Sequence, residues 1–373
     1  MAIEKEAPEE VGAVIKHNLS ESAIFDQTLK SLSITIPAEA VLTYTEHKGS
    51  HKIRSLVSQA ANDTLTPEDV LVTAGASTSL FIIKTSLLGP KDHLVVTCPN
   101  YATNLEILRS IGCDITFIYL KFESQFRLDI DRISAAIHPS ITRLISICSP
   151  NNPTSTQHNV HCLQAPNPRI SGQRKWVLPS HQRNILRPQL RLSHGNGENA
   201  IPVGASLSHH VITVFSMSKA YSIPRIRVGW LTTTNPLLQE SFLAAKEQIS
   251  ISGSVLDDLI AEQILSRRTK LLPKTIPDMR HRRDHVAIWV DEESELLDWV
   301  RPEAGVMCFI RMRKEPAGGT EEFYRRLLKE HGVYVGRGTW FEMDDTFFRL
   351  GYWWPTWEEL KTGLDAISKA FRG

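Results

Sequence analysis

A chain of 373 residues is long enough for two packed domains and a substantial core. Its 42 lysines and arginines against 41 aspartates and glutamates leave a formal charge of +1, so no strong field favours nucleic acid or an anionic membrane, and a small-molecule partner is expected. Five cysteines (Cys98, Cys113, Cys148, Cys162, Cys308) lack C-x-x-C spacing, which argues against a zinc site or a disulfide scaffold and fits a reducing compartment.

The first ten residues hold no apolar run of signal-peptide kind, and no later run approaches membrane-spanning length, so the cytoplasm is the expected location. Residues 1–40 are polar with short apolar stretches and read as an arm carrying one helix, over 24–32. Leu42-Thr43-Tyr44 leads through Gly49 into an amphipathic helix over 50–61, with Ile53, Leu56 and Val57 on one face. A strand at 70–72 follows, and Thr73-Ala74-Gly75-Ala76-Ser77-Thr78-Ser79 opens a helix over 80–87. A glycine and small residues at such a turn leave backbone N–H groups at a positive helix end, which is an anion site, although small residues also cap ordinary helices.

A strand at 94–97 ends at Pro99-Asn100-Tyr101, where the tyrosine is either a surface turn residue or a flat ring able to cover an aromatic ligand. A helix over 104–111 and a strand at 115–119 continue the βα alternation of a mostly parallel sheet with helices on both faces. The buried strand 144–148 closes on Ser149-Pro150-Asn151-Asn152-Pro153-Thr154. Prolines stiffen that turn, and an asparagine amide there can donate to a phenolate-like oxygen while also meeting a carboxylate.

Val211-Ile212-Thr213-Val214-Phe215 reads as a buried strand that delivers Ser216-Met217-Ser218-Lys219 into a turn. Partial burial and a second cation, Arg227, would destabilise an ammonium there, and a neutral amine is what condenses with an aldehyde. Ser216, Ser218 and Arg227 together match phosphate oxygens; the plain alternative is an exposed lysine in a strand-to-loop turn. Beyond the returning strand at Val228-Gly229-Trp230, helices are expected over 235–249 and 254–266. A basic helix spans 270–290, with Arg280, Arg282 and Arg283 on a solvated face. Strands at 306–311, 333–335 and 347–350 then surround a helix over 320–331. Arg349, inside the last strand, is costly unless paired, which makes it an anion receptor or a partner of Asp344 or Asp345.

S-x-S-K-A-Y followed by P-x-I-R-V-G-W resembles the lysine region of the class I/II aminotransferases, fold type I enzymes dependent on pyridoxal 5'-phosphate (PLP). Its form, with the R-L-G-Y strand, resembles the capreomycidine-synthase-like branch. The likeness implies that Lys219 forms the Schiff base and that Arg227, Ser216 and Ser218 bind the cofactor. It also implies a T-x-G-[AS] phosphate loop at Ala76 and Ser77 and a P-x-Y ring stacked on the pyridine at Tyr101. Asn152 becomes the amide of N-P-T-G, meeting cofactor and substrate, and Arg349 the fork that holds the substrate α-carboxylate. Tyr44, five residues before Gly49, resembles the Y-x-x-x-x-G tyrosine that crosses a dimer interface to the partner's cofactor phosphate; a tyrosine capping its own core is the alternative. Two positions depart from the motifs: Arg225 stands where the family usually has glycine, and Ser155 replaces the G of N-P-T-G.

After Ser155 the resemblance stops, to return at Pro202-Val203-Gly204. Residues 156–200 show no helical or strand period and many breakers. The family places there a strand carrying D-x-x-Y, whose aspartate keeps the pyridine nitrogen protonated so that the ring accepts electrons. No aspartate occurs between Asp131 and Asp257, no tyrosine between Tyr119 and Tyr221, and Glu198 is the only acid near the gap. Our hypothesis for this segment is a shifted reading frame. Read one base later from Trp176, the degenerate code permits Gly-Cys-Tyr-Leu-Leu-Ile-Asn-Glu-Thr-Tyr-Tyr, a buried strand followed by something close to D-E-T-Y; a diverged surface insertion is the rival.

The expected architecture is therefore an α/β fold type I PLP-dependent transferase with a mostly parallel sheet and a smaller α+β domain. The N-terminal arm, 1–40, would join the small domain; 41–264 would be the large PLP-binding domain, with 155–200 anomalous; and 265–373 the small C-terminal domain. The implied activity is a PLP-dependent aminotransferase moving an amino group from an amino acid to a keto acid. It would act as a cytoplasmic homodimer, in secondary metabolism by the branch it resembles, without metal, nucleic acid or membrane. A PLP-dependent cyclase or lyase of the same fold, and a chain impaired by its missing Asp and Tyr, are the alternatives. Sequencing of the gene and transcript tests the frame hypothesis: a frameshift relative to the coding frame is expected within 156–200, and an unbroken frame with native codon usage would remove the idea.

Overall fold

The computed structural model describes residues 14–61, 65–158, 176–180, 205 and 208–373. A two-residue strand, β1 (His17–Asn18), precedes α1 (His51–Ala60), whose first turn is capped where Ser50 Oγ accepts the Ile53 amide. The alternation read from the sequence then appears as β2 (Val70–Thr73), α2 (Ala76–Leu87), β3 (His93–Cys98), α3 (Ala102–Ile111), β4 (Asp114–Tyr119), α4 (Ile130–Ala135) and β5 (Thr142–Cys148). β6 (Trp176–Ser180), β7 (Thr213–Ser216), the one-turn α5 (Met217–Ala220) and β8 (Gly229–Thr232) complete a seven-stranded sheet of order β2-β8-β7-β6-β5-β3-β4. β8 runs antiparallel to both neighbours, and the other pairings are parallel.

Period-two alternation sorts the strand side chains onto two covered faces. Leu94, Val96 and Leu144 face α2, α3 and α6 (Pro236–Ser250), among Ile83, Leu105 and Phe242. Val95, Ile145 and Ile147 face α4, around Ile133. After α6 come α7 (Val255–Ser266) and α8 (Arg268–Glu292), which continues through Pro273 and Pro277. They lead to a four-stranded antiparallel sheet of order β12-β13-β10-β9. Its strands are β9 (Leu297–Trp299), β10 (Met307–Met312), β12 (Gly336–Arg337) and β13 (Phe347–Gly351). α9 (Thr320–Lys329), β11 (Val333–Tyr334) and α10 (Trp357–Arg372) complete this smaller unit. β1 pairs in parallel with β11, so the N-terminal segment is tied to the smaller unit. Among the described residues no helix is long and apolar enough to cross a membrane.

Three expectations are corrected. The helix over 24–32 does not form; that stretch is turns and irregular backbone, with Ile24 buried and the Phe25 carbonyl accepting the Ser222 hydroxyl at 2.6 Å. Tertiary docking overrides local helix preference there. Within 156–200, read as lacking strand period, Trp176–Ser180 forms a strand paired with Leu144 through Cys148. Five residues are too few to register as a period, and they are those where the shifted frame reads a buried strand. Arg282 is buried, not solvated: its Nη1 donates to the Pro355 carbonyl at 2.7 Å and its Nε to Asp278 at 2.9 Å.

One buried imidazole makes the large sheet sensitive to acid. His93 is fully shielded, with Nδ1 2.7 Å from Thr142 Oγ1, Nε2 2.8 Å from Thr116 Oγ1, and its ring stacked on His138 at 4.5 Å. Burial, then the charge of His138, pushes its pKa below the ordinary 6.5. On acidification the unfolded chain takes up this proton first, so the contribution is complete above about 6.5 and is lost as pH falls through the lowered folded value. Between about pH 7.5 and about pH 5, His93→Gln should therefore lose less melting temperature than the wild type. Equal losses in thermal melts would assign the acid sensitivity elsewhere.

Candidate active site

The site is built where three chain segments far apart in sequence converge. At the exit of β7, Ser216 Oγ accepts the Ser218 amide at 3.0 Å and donates to Ser218 Oγ at 2.8 Å, closing the turn that starts α5. Lys219 sits on this turn, and its Nζ donates to Ser22 Oγ at 2.7 Å. Arg227, at φ 43, stands just before β8. Its Nη1 donates to the Pro224 carbonyl at 2.7 Å and to Ser218 Oγ at 3.3 Å, and its Nη2 to the Ala74 carbonyl at 3.4 Å.

Two glycines permit this convergence. A Cβ on Gly75, which has φ +84, would lie 2.3 Å from Arg227 Nη2, and one on Gly229 would lie 2.6 Å from the Phe215 carbonyl oxygen and 2.9 Å from the Ala76 nitrogen. The guanidinium thus lies against the start of α2, whose N-cap Gly75 brings no side-chain acceptor to the free N–H groups. A cavity of about 220 Å³ opens here. Ala76, Ser77, Tyr101, Asn152, Ser216, Ser218, Lys219 and Arg227 all line it.

Arg349 joins the cavity through Asn152: its Nη1 donates to the buried Asn152 Oδ1 at 3.0 Å. Its Nε and Nη2 donate to the Ser20 carbonyl at 3.2 and 2.6 Å, and the guanidinium lies 4.7 Å from the centre of the Phe341 ring. Neither Asp344 nor Asp345 is the partner of Arg349, since Asp345 binds Arg337 and Asp344 accepts from Thr346. Tyr44 is 78% exposed and does not line this cavity. Arg225 is exposed on a short 3-10 turn, also away from the cavity lining, so it neither crowds the loop nor touches the site.

Ser155 takes φ 57, the left-handed region natural to glycine, and its Oγ donates to the Met307 carbonyl at 2.8 Å, which offsets part of that strain. Among the described residues no carboxylate lines the cavity. Glu198, and the positions where the shifted frame places an Asn-Glu-Thr-Tyr run, lie outside the described residues. Ser20 and Ser22 were missed by sequence reasoning, which read them as part of a polar arm. Their partners stand 329 and 197 positions away, and no local pattern marks such a contact. Chemically, the arrangement offers hydroxyls, a guanidinium and a helix start for an anion, an amine beside them, and a second guanidinium fork beyond Asn152.

A family model described as aminotransferase class I and II matches residues 24–164 and 193–367, leaving out most of the anomalous segment. Capreomycidine synthase of Streptomyces vinaceus is 26% identical over 302 residues, which is 80% of this chain and 74% of that protein. An arginine–pyruvate transaminase of Pseudomonas aeruginosa is 23% identical, with the same shares covered. Among solved structures, a PLP-dependent aminotransferase from Streptococcus suis superposes with a TM-score of 0.83 at 26% identity, covering 96% of this chain and 95% of that one. A PLP-dependent cyclase shares the fold with a TM-score of 0.80 at 23% identity over 95% and 92% of the two chains.

The approach of Arg227 to the start of α2 is open to test by a single methyl group. Gly75→Ala should lower stability by roughly 1–3 kcal/mol, because φ 84 with ψ 171 is backbone essentially reserved for glycine, and push the guanidinium away from the helix end. Thermal melting and titration with inorganic phosphate check both effects. A folded variant with wild-type phosphate affinity would show that this contact does not build the anion site.

Proposed function

Because the chain belongs to the class I and II aminotransferase family, we propose that it is a PLP-dependent aminotransferase that moves the amino group of an amino acid to a keto acid. The observation that carries this reading is the shared cavity: Lys219, Arg227, Asn152 and Tyr101 line it together, and Arg349 is hydrogen-bonded to Asn152 at its edge. The donor set fits the cofactor, with Ser216, Ser218, Arg227 and the α2 start at Ala76 and Ser77 suited to its phosphate. PLP, when bound, supplies the aldehyde that takes the amino group and the ring that accepts the α-carbon's electrons.

The remaining work falls to the protein. Lys219, held at the end of a buried strand, takes the substrate's α-proton as a general base and returns it to complete the transfer. Arg349 holds the α-carboxylate in its fork, and the bond from its Nη1 keeps the Asn152 amide turned toward the cavity before substrate arrives. Tyr101 covers one face of the ring with a flat, uncharged surface. Tyr44, exposed on its own chain, is free to reach the phosphate bound by a second copy in a homodimer. We assign residues 41–264 to the PLP-binding domain and 265–373, with 1–40, to the smaller one; the pairing of β1 with β11 supports the second grouping. We place the enzyme in the cytoplasm and in secondary metabolism.

A second reading, a PLP-dependent cyclase or lyase, draws on the fold shared with a PLP-dependent cyclase, since ring closure or elimination begins with the same loss of the α-proton. A third, impaired activity, rests on the lack of aspartate and tyrosine in 155–200 of the sequence. Purified protein with PLP should show a cofactor absorbance band that Lys219→Ala loses. With an amino-acid panel and α-ketoglutarate, glutamate should form, and Arg349→Met should raise KM by roughly tenfold to a hundredfold through the lost charged hydrogen bonds. Ammonia or a cyclised product without glutamate would favour the second reading, and a band with no turnover the third.

A further inference from the structure

Beside the cavity, α2 carries a lysine for which the roles above have no use. Lys84 is completely shielded from solvent, and no carboxylate forms an ion pair with it among the described residues. Its Nζ instead donates at 2.5 Å to both the backbone carbonyl and the side-chain Oδ1 of Asn104 on α3. Ser146 Oγ, from β5, donates to the same Oδ1 at 3.2 Å. Asn104 is 2% exposed and lines the cavity. With Oδ1 taken twice, the amide nitrogen is left over, and among the described residues it has no hydrogen-bond partner. A buried N–H2 with nothing to donate to is costly and calls for an acceptor.

We propose that Lys84 is a positioning residue: by holding both oxygens of Asn104 it fixes the amide so that its N–H2 serves as a neutral donor to a lone-pair acceptor atom of the molecule bound in the cavity. Burial pushes the Lys84 ammonium down to about 7. A neutral amine still carries two N–H bonds, so the clamp survives loss of the proton. The donor also selects: an unprotonated ring nitrogen or a carbonyl or phenolate oxygen can accept from it, whereas a protonated nitrogen cannot. This deepens the PLP reading and rests on it for the identity of the ligand.

Two substitutions separate donor from clamp. Asn104→Asp leaves an oxygen for Lys84 and removes the N–H2; Lys84→Met keeps the bulk and removes the clamp, with Lys84→Leu in its place if the methionine variant does not fold. Absorbance titration of the purified chain with PLP should show roughly tenfold weaker binding in each, while ligand-free Asn104→Asp melts no lower than the wild type. A second readout needs no cofactor. In ligand-free protein the Asn104 side-chain N–H2 pair, assigned by its loss in Asn104→Asp, should exchange with solvent at least roughly tenfold faster once Lys84 is replaced. Unchanged exchange would overturn the clamp, and wild-type PLP affinity in Asn104→Asp would overturn the donor. Failure of the wild type to bind PLP would sink the function proposed above while the exchange measurement still decides whether Lys84 holds Asn104.

Discussion

Close approach of backbone to a charged side chain governs this molecule. The start of α2, the exit of β7 and the start of β8 meet because Gly75 and Gly229 have no side chains to keep them apart. Arg227 fills the junction and draws on all three, through the Ala74 carbonyl, the Ser218 hydroxyl and its own turn. A guanidinium and free helix N–H groups are then concentrated at one end of a cavity that the buried sheet holds rigid. Lys219 inherits its place from this arrangement, since the turn that carries it is closed by Ser216.

The smaller unit reaches the same cavity by two routes. β13 brings Arg349 to Asn152, and the N-terminal segment, paired with β11 and bonded from Gly351 to the Leu19 carbonyl, crosses to Lys219 through Ser22. The Ser20 carbonyl meanwhile sits in the fork of Arg349. Lys219 and Arg349 are therefore bridged by one short stretch of chain, and the segment that seemed a mere arm is part of the cavity's architecture.

Departures from the family motifs cost the fold little where a local bond compensates. Ser155 adopts a glycine conformation and recovers energy through the Met307 carbonyl; Arg225 projects from its turn without touching the site. Lys84 is a different case. A buried amine clamped to an asparagine serves no packing need that a leucine would not meet, and its cost is understandable only if the polar group it holds has work to do.

Most of the large sheet was legible in the chain itself because its signals are local. Apolar runs of four to seven residues alternate with helical periods, small residues mark the turns, and S-x-S-K, P-x-Y and N-P-T sit at strand exits where sheet geometry points them to one side. The resemblance of those motifs to the aminotransferase family is what named Lys219, Arg227, Tyr101 and Asn152 as neighbours, and the cavity brings them together. Folding alone decided what depends on contacts between distant positions: the irregular path of 24–32, the burial of Arg282, the place of Trp176–Ser180 between β5 and β7, and the hold of Ser20 and Ser22 on Arg349 and Lys219. Side-chain period reports which face of an element is covered, but not which remote backbone group will come to rest against it. That choice is made by packing, one tertiary contact at a time.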